Sequence, residues 1–185
     1  MKGYWPRFNL FLALAALVLA LGGCKSVPNL DPFKKSEPQS VLRIHMELAA
    51  ANTSMQMSAA KTITLLRENP VSVTIDKDPI LTEANLVAAR VISTPEAPAI
   101  ELKFDDNGTW ILEQYSAGNP GLHFVIFGQW GDDLKNSRWL AAPMITKRIN
   151  TGILSFTPDM SSDEASNFVA GLQTEIKQFQ STPTE

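Results

Sequence analysis

The stretch SSDEASNFVAGLQTEIKQFQ, residues 161 to 180, governs the reading of the fold. Ser161 and Glu164 stand in the order of a capping box, in which each side chain serves the other residue's free backbone N–H. Behind them Ala165, Phe168, Val169, Leu172, Ile176 and Phe179 recur at spacings of three and four, the period of a helix with one apolar face. Such a face must be covered, and the preceding chain offers strands to cover it. Leu122 to Phe127 is a nearly continuous apolar run, which suits a strand in the middle of a sheet. In Val41 to Leu48, Leu42, Ile44, Met46 and Leu48 alternate with Arg43, His45 and Glu47. That period predicts a strand with one buried and one wet face, and puts His45 on the wet side.

The rest of the chain adds short elements of the same kind. Lys61 to Leu66 and Val71 to Ile75 read as strands divided by the turn Glu68-Asn69-Pro70. A turn or short helix at Thr82 to Leu86 leads to a strand at Ala88 to Ser93. Thr94 to Pro98, with two prolines, breaks the chain before a strand at Ala99 to Phe104. Asp105 and Asp106 suit the N-terminus of a helix running to about Ser116, with Trp110, Ile111 and Tyr115 as its buried side. Asn119-Pro120-Gly121 turns the chain into the apolar strand. Gly128 to Ser137 reads as a polar loop, Arg138 to Ile145 as a returning strand in which Pro143 implies an edge or a bulge, and Gly152 to Phe156 as a last short strand. Strands and helices with one apolar face each make an α+β fold, a two-layer sandwich whose mainly antiparallel sheet carries helices on one face.

The ends of the chain differ from its middle. Lys2 and Arg7 precede the uncharged run Leu10 to Leu21, the order of a secretory signal. Those twelve residues span about 18 Å as a helix, short of the roughly 30 Å of a hydrocarbon core. Leu21-Gly22-Gly23-Cys24 resembles the lipobox of bacterial lipoproteins. That resemblance implies cleavage after residue 23, a diacylglycerol on the Cys24 sulfur and acylation of the new N-terminus, palmitate being a usual acyl group. Several acyl chains anchor far more firmly than one, at about 0.8 kcal/mol per buried methylene. Lys25 at the second mature position, where an aspartate would favour inner-membrane retention, points to an outer membrane, with the domain facing the periplasm. Residues 24 to 40, with Pro28, Pro32 and Pro38, read as a lipidated start and extended spacer. Residues 41 to 180 form the domain and 181 to 185 a polar tail. Ala49 to Ala60 reads as a mobile loop or a marginal helix.

Charge and composition narrow the function. The formal charge of −3 for all 185 residues becomes −5 once Lys2 and Arg7 leave with the leader, which argues against a nucleic-acid partner. The lone cysteine, Cys24, leaves no thiol for an intramolecular disulfide or a catalytic role in the domain. His45 and His123 lack a second histidine at ligand spacing and read as sheet residues. Met46, Met55 and Met57 have the softness for copper(I), although loop composition accounts for them. Asp105-Asp106-Asn107-Gly108 lacks the alternating oxygen ligands of a calcium loop and reads as a helix cap. Asp132 and Asp133 are paired carboxylates in a loop that offers no environment to separate their pKa values. No catalytic residue, metal ligand or cofactor is therefore expected. Phe127, Trp130 and Trp139 flank the polar loop; Trp139 reads as core, whereas Trp130 and Phe127 read either as core or as contacts for a partner.

Several segments carry a further resemblance in order: Pro79-Ile80-Leu81-Thr82, Asn85-Leu86, Ala88-Ala89, Ile100-Glu101-Leu102, Asp106-Asn107-Gly108, and Asn119-Pro120-Gly121 running into Leu122-His123-Phe124-Val125-Ile126. Ala142-Pro143, Ile153 to Phe156 and Asp163-Glu164-Ala165 complete it. From about Val71 to Leu172 the chain resembles the head subdomain of the first large periplasmic domain of SecD. Phe127-Gly128 stands where that family has Asp-Gly, so the hairpin is expected to differ. The polar end of the chain is expected to replace the family's transmembrane helices. The resemblance implies a non-catalytic domain that binds protein or peptide, or acts as a scaffold; the lipobox adds the expectation that lipid holds it at the membrane. A small-ligand or metal-binding sensor of envelope stress, or a resistance factor, is the alternative expectation.

Overall fold

The computed structural model describes residues 39–49, 60–65, 70–93 and 97–181, all within the unit Ser36–Glu185. Its strands are β1 (Ser40–Met46), β2 (Ala60–Leu65), β3 (Val71–Asp76), β4 (Leu81–Thr82), β5 (Leu86–Ser93), β6 (Pro98–Phe104), β7 (Phe124–Trp130), β8 (Asn136–Ala141) and β9 (Ile153–Phe156). Among the described residues two α-helices accompany them, α1 (Asp106–Gly118) and α2 (Ser162–Ser181). Every strand pairing is antiparallel. The α+β class is as expected, but the strands divide into three sheets ordered β4-β1-β7-β8, β2-β3 and β5-β6-β9.

Helix α2 unites two of these sheets. It packs on β5 and β6 of one and on β1 and β7 of the other. Ala165, Phe168, Val169, Leu172 and Ile176 are buried in the main core, with Leu42, Ile44, Phe124 and Ile126 from one sheet and Ile100, Leu102, Leu154 and Phe156 from the other. The predicted stripe is correct up to Ile176. Phe179, expected on the same face, is 49% exposed. The capping box forms as read: Glu164 N–H donates to Ser161 Oγ at 3.2 Å and Ser161 N–H to Glu164 Oε2 at 2.9 Å. Arg138 of β8 reaches the same carboxylate at 3.1 Å. The Ser161 N–H, helped by Arg138, holds the Glu164 carboxyl below the ordinary carboxylate range. A lowered folded value means that this stability is present above about pH 4.5 and lost as the pH falls through the folded value. Ser161→Ala is expected to cost about 1 kcal/mol in urea unfolding at neutral pH.

Helix α1 corrects one expectation. Asp105 caps it, its Oδ1 accepting the Gly108 N–H at 2.6 Å. The buried side, however, is Gly108, Leu112 and Ser116, four residues apart, whereas Trp110 is 60% and Tyr115 38% exposed. A Cβ at Gly108 would lie 3.0 Å from Phe104 Cβ and 3.1 Å from Asn85 Cβ, so the helix touches the sheet through its smallest residue. That close approach sets the helix phase and turns the larger Trp110 outward. Ser116 Oγ accepts the N–H of Ile149 at 2.8 Å, tying the following loop to the same side.

The first four-stranded sheet is covered on both faces, where one wet face was expected. The β2-β3 hairpin lies across the face opposite α2, and Ile63, Leu65, Val73 and Ile75 form a second core with Val125, flanked by Trp139. His45 is accordingly 6% exposed, not wet. Its Nδ1 lies 2.9 Å from the Asp76 carbonyl oxygen and its ring meets Trp139 edge-on, centroids 5.4 Å apart. Burial, reinforced by the charges of Arg43 and Lys61, lowers the imidazole pKa against the opposing pull of Asp76. A depressed folded value leaves the unfolded chain binding more protons, so stability falls as pH drops from about 6.5 toward that value. Urea midpoints measured from pH 8 down to 5.5 are expected to decrease, and His45→Gln to flatten that decrease.

Other boundaries moved by a few residues. Ser40, read as the end of the spacer, opens β1 and is buried. β7 is central as expected but runs on to Trp130, so the loop begins at Gly131 rather than Gly128. β8 ends at Ala141 on the sheet's edge, and Pro143 lies in the segment beyond, before the bridge between Met144 and His123. The leader, lipobox, residues 25–38 of the spacer, most of Ala49 to Ala60, the turn before Pro70, the break at 94–96 and residues 182–185 of the tail lie outside the described residues.

Candidate functional site

Cys24, the predicted lipid attachment residue, lies outside the described residues, as do Met55 and Met57. Trp130 is the core residue of the two readings given for it. It is 2% exposed, its ring 6.0 Å from that of Phe168 and 5.3 Å from the Arg138 guanidinium. The alternation of β7 turns it with Phe124 and Ile126 toward α2, where it has no side-chain surface to offer a partner. Phe127, on the opposite face, is half-buried with its ring 5.1 Å from Trp139. The two residues singled out as partner contacts therefore stand on opposite sides of one sheet.

The candidate polar groups are engaged structurally. Asp132 and Asp133 sit in a 3-10 turn, and Asp133 pairs with Lys135 at 3.5 Å while remaining 87% exposed. Glu47 and His123 meet across 76 residues of sequence: Glu47 Oε2 accepts the His123 N–H at 2.9 Å and lies 2.5 Å from its Nδ1. Beside them a cleft of about 250 Å³ is lined by residues including Glu47, Asp76, Tyr115 and Leu122. Glu47 Oε2 is already spent on joining the end of β1 to the start of β7. Among the described residues no group of three or more His, Cys, Asp or Glu side chains is placed to hold a metal ion.

A different surface surrounds β5, and periodicity gave no sign of it. β5 is an outer strand, paired only with β6 among the described residues. Leu102, Ile100 and Phe104 turn into the core, leaving Arg90, Glu101, Lys103 and Ile153 on the outer face around a shallow cleft of about 300 Å³. Arg90 bonds Glu101 on the neighbouring strand at 2.6 Å. On the other side of β5, Val87, Ala88 and Ala89 face Gln173, Ile176 and Lys177 of α2 across a groove of about 250 Å³. Ala88 and Ala89 line both depressions, so the two are continuous around the strand's edge. Gln173 Nε2 donates to the Ala89 carbonyl at 3.0 Å. That bond shows which main-chain groups of β5 face outward: those of Ala89 and, by alternation, Val91.

The family model for the SecDF P1 head subdomain matches residues 55–175, well over half of the chain. The chain belongs to the SecDF P1 head family. This confirms the resemblance read from Val71 to Leu172 and extends it toward the N-terminus. Two solved SecDF structures share the fold, each at 20% identity, a TM-score of 0.50 and coverage of 75% of this chain. One is described as a membrane component that enhances protein export, the other as SecDF in a super-membrane-facing form. This chain spans 64% of the first and 19% of the second. No curated protein sequence matches it. In this member of the SecDF P1 head family no helix among the described residues is long and apolar enough to cross a membrane. Phe127-Gly128, which stands in place of the family's Asp-Gly and was expected to change the hairpin, lies within β7, and a Cβ at Gly128 would meet Leu140 and the Phe168 ring.

Proposed function

We propose that this chain is a lipid-anchored protein of the bacterial cell envelope whose SecDF P1 head domain binds polypeptide without catalysis, in a role related to protein export. The observation that carries the reading is an outer strand, β5, bordered by small side chains and an open groove within a fold shared with a protein described as enhancing export. Unpaired strand edges bind extended chains through main-chain hydrogen bonds, a mode that needs no reactive side chain. The signal-like leader and the Leu21-Gly22-Gly23-Cys24 sequence support a lipid anchor, and Lys25 supports placement on the periplasmic side of an outer membrane.

Two experiments test this. A photo-crosslinking residue at Lys103, on the outer face of the β5-β6-β9 sheet, is expected to capture polypeptide neighbours in intact cells; recovery of none would overturn the binding role. Cys24→Ser is expected to block processing and release the protein from membranes on fractionation. Unchanged processing and attachment would remove the lipid anchor from the account.

A further inference from the structure

Three cationic groups give the β5 edge a chemical character that the family fold alone does not specify. The joined depressions around Ala88 and Ala89 are lined by Arg90, Lys103 and Lys177 and by one carboxylate, Glu101, which Arg90 already holds at 2.6 Å. The surface is thus locally cationic on a chain whose formal charge is −3. Lys103 and Lys177 have no ion-pair partner among the described residues. The main chain beside these groups presents outward donors and acceptors at two-residue intervals, where the Ala89 carbonyl accepts from the side-chain amide of Gln173. An amide donating to a strand carbonyl from outside the sheet makes the same bond that an added strand would make.

Resting on the polypeptide-binding reading above, we propose that an extended, acidic segment of polypeptide adds to the free edge of β5 as a fourth strand of the β5-β6-β9 sheet, displacing the Gln173 amide from Ala89. Side chains on one face of the added strand enter the groove between Val87 and Ile176. Its carboxylates meet Lys177 on that side and Lys103 and Arg90 on the other. The alanines at 88 and 89 leave room for side chains larger than their own. Val87 has no paired partner in β6, because the register shifts between Leu86 and Ala88. This bulge limits the edge to the stretch from Ala89 onward, since bulges disrupt the regular ladder that a new strand would extend.

The test uses the full chain with two synthetic probes, an alternating Val/Glu peptide and an alternating Val/Lys peptide. The acidic peptide is expected to bind at least about fivefold more tightly and to slow hydrogen exchange at the Val91 amide. Lys177→Glu, a change on the solvent side of α2, is expected to remove most of that preference. Val91→Pro removes an outward N–H without touching the ladder to β6, and is expected to lose the acidic peptide. Should Val91→Pro fail to fold, Lys177→Glu and the Val91 exchange rate decide alone. Equal affinity for both peptides, or protection confined to another strand, overturns the edge proposal while leaving polypeptide binding in place. If neither peptide binds and crosslinking from Lys103 recovers no polypeptide, both readings fall.

Discussion

Phe168→Ala is expected to lower the unfolding free energy by about 3–5 kcal/mol, the largest single effect of any side-chain truncation considered. Phe168 is fully buried on α2 at the place where the helix crosses β7, with Trp130 edge-on to its ring and Gly128 directly beneath. Truncation removes a ring whose neighbours cannot all follow it. Trp130 is also held by the Arg138 guanidinium 5.3 Å from its ring, and β7 is paired on both sides. The cavity therefore stays largely open, which puts the cost above the transfer term alone. Domains of this size have about 5–15 kcal/mol of stability, so the variant would sit near the limit of folding at 37 °C. Phe179→Ala provides the comparison. Both phenylalanines belong to the same sequence stripe, yet Phe179 is half exposed, and its truncation is expected to change stability by less than about 0.5 kcal/mol. Urea unfolding of the two variants distinguishes them directly. A loss below about 1 kcal/mol for Phe168→Ala would contradict the packing described.

The second large effect opposes the helix scale. Alanine is a better helix former than glycine by about 1 kcal/mol, which predicts a gain for Gly171→Ala in α2. The structure predicts a loss of about 1–3 kcal/mol, because a Cβ at this position would lie 2.7 Å from the Gln39 carbonyl carbon and closer still to Ser40 Oγ. Main chain cannot rotate aside as a side chain does, so either the start of β1 or the whole helix must move. Gly118→Ala, at the end of α1 with no neighbour within 4 Å of the added carbon, is expected to be neutral or slightly stabilising. Ser40→Gly in the Gly171→Ala background removes one of the colliding groups and is expected to restore part of the loss. It also removes a buried hydroxyl that has no hydrogen-bond partner among the described residues. If Gly171→Ala proved as stable as the parent, β1 would not be seated on α2 as described.

Legibility in the sequence followed the range of the physical cause. The capping box of Ser161 and Glu164 and the Asp105 cap were readable because the groups involved stand three residues apart. The central strand was readable because Phe124, Val125 and Ile126 leave it no wet face. Alternation in β1 correctly marked Leu42, Ile44 and Met46, yet misplaced His45, since the cover on its face arrives from a later hairpin, whose last residue, Asp76, is 31 residues on. In α1 the aromatic residues looked like the obvious core. Contact through Gly108 made them the outer side. Of the candidate site, the β5 edge was not legible. Nothing in LVAARVIS announces that one of its two edges has no partner strand among the described residues.

The ordered segments from Pro79 to Ala165 carried the family resemblance, and by itself the sequence determined the α+β class, most of the order of the strands and helices, and the helix caps. The last three follow local rules. These depend on side-chain period and on hydrogen bonds between near neighbours, which are the same in any context. Only the tertiary structure decided that Trp130 is interior and Trp110 exterior, that His45 is covered, and that β5, among the described residues, keeps a free edge beside Gln173 and Lys177. Whether a side chain or a strand edge meets water depends on which distant segment packs against it, and that is settled by the competition of all the apolar faces for cover at once.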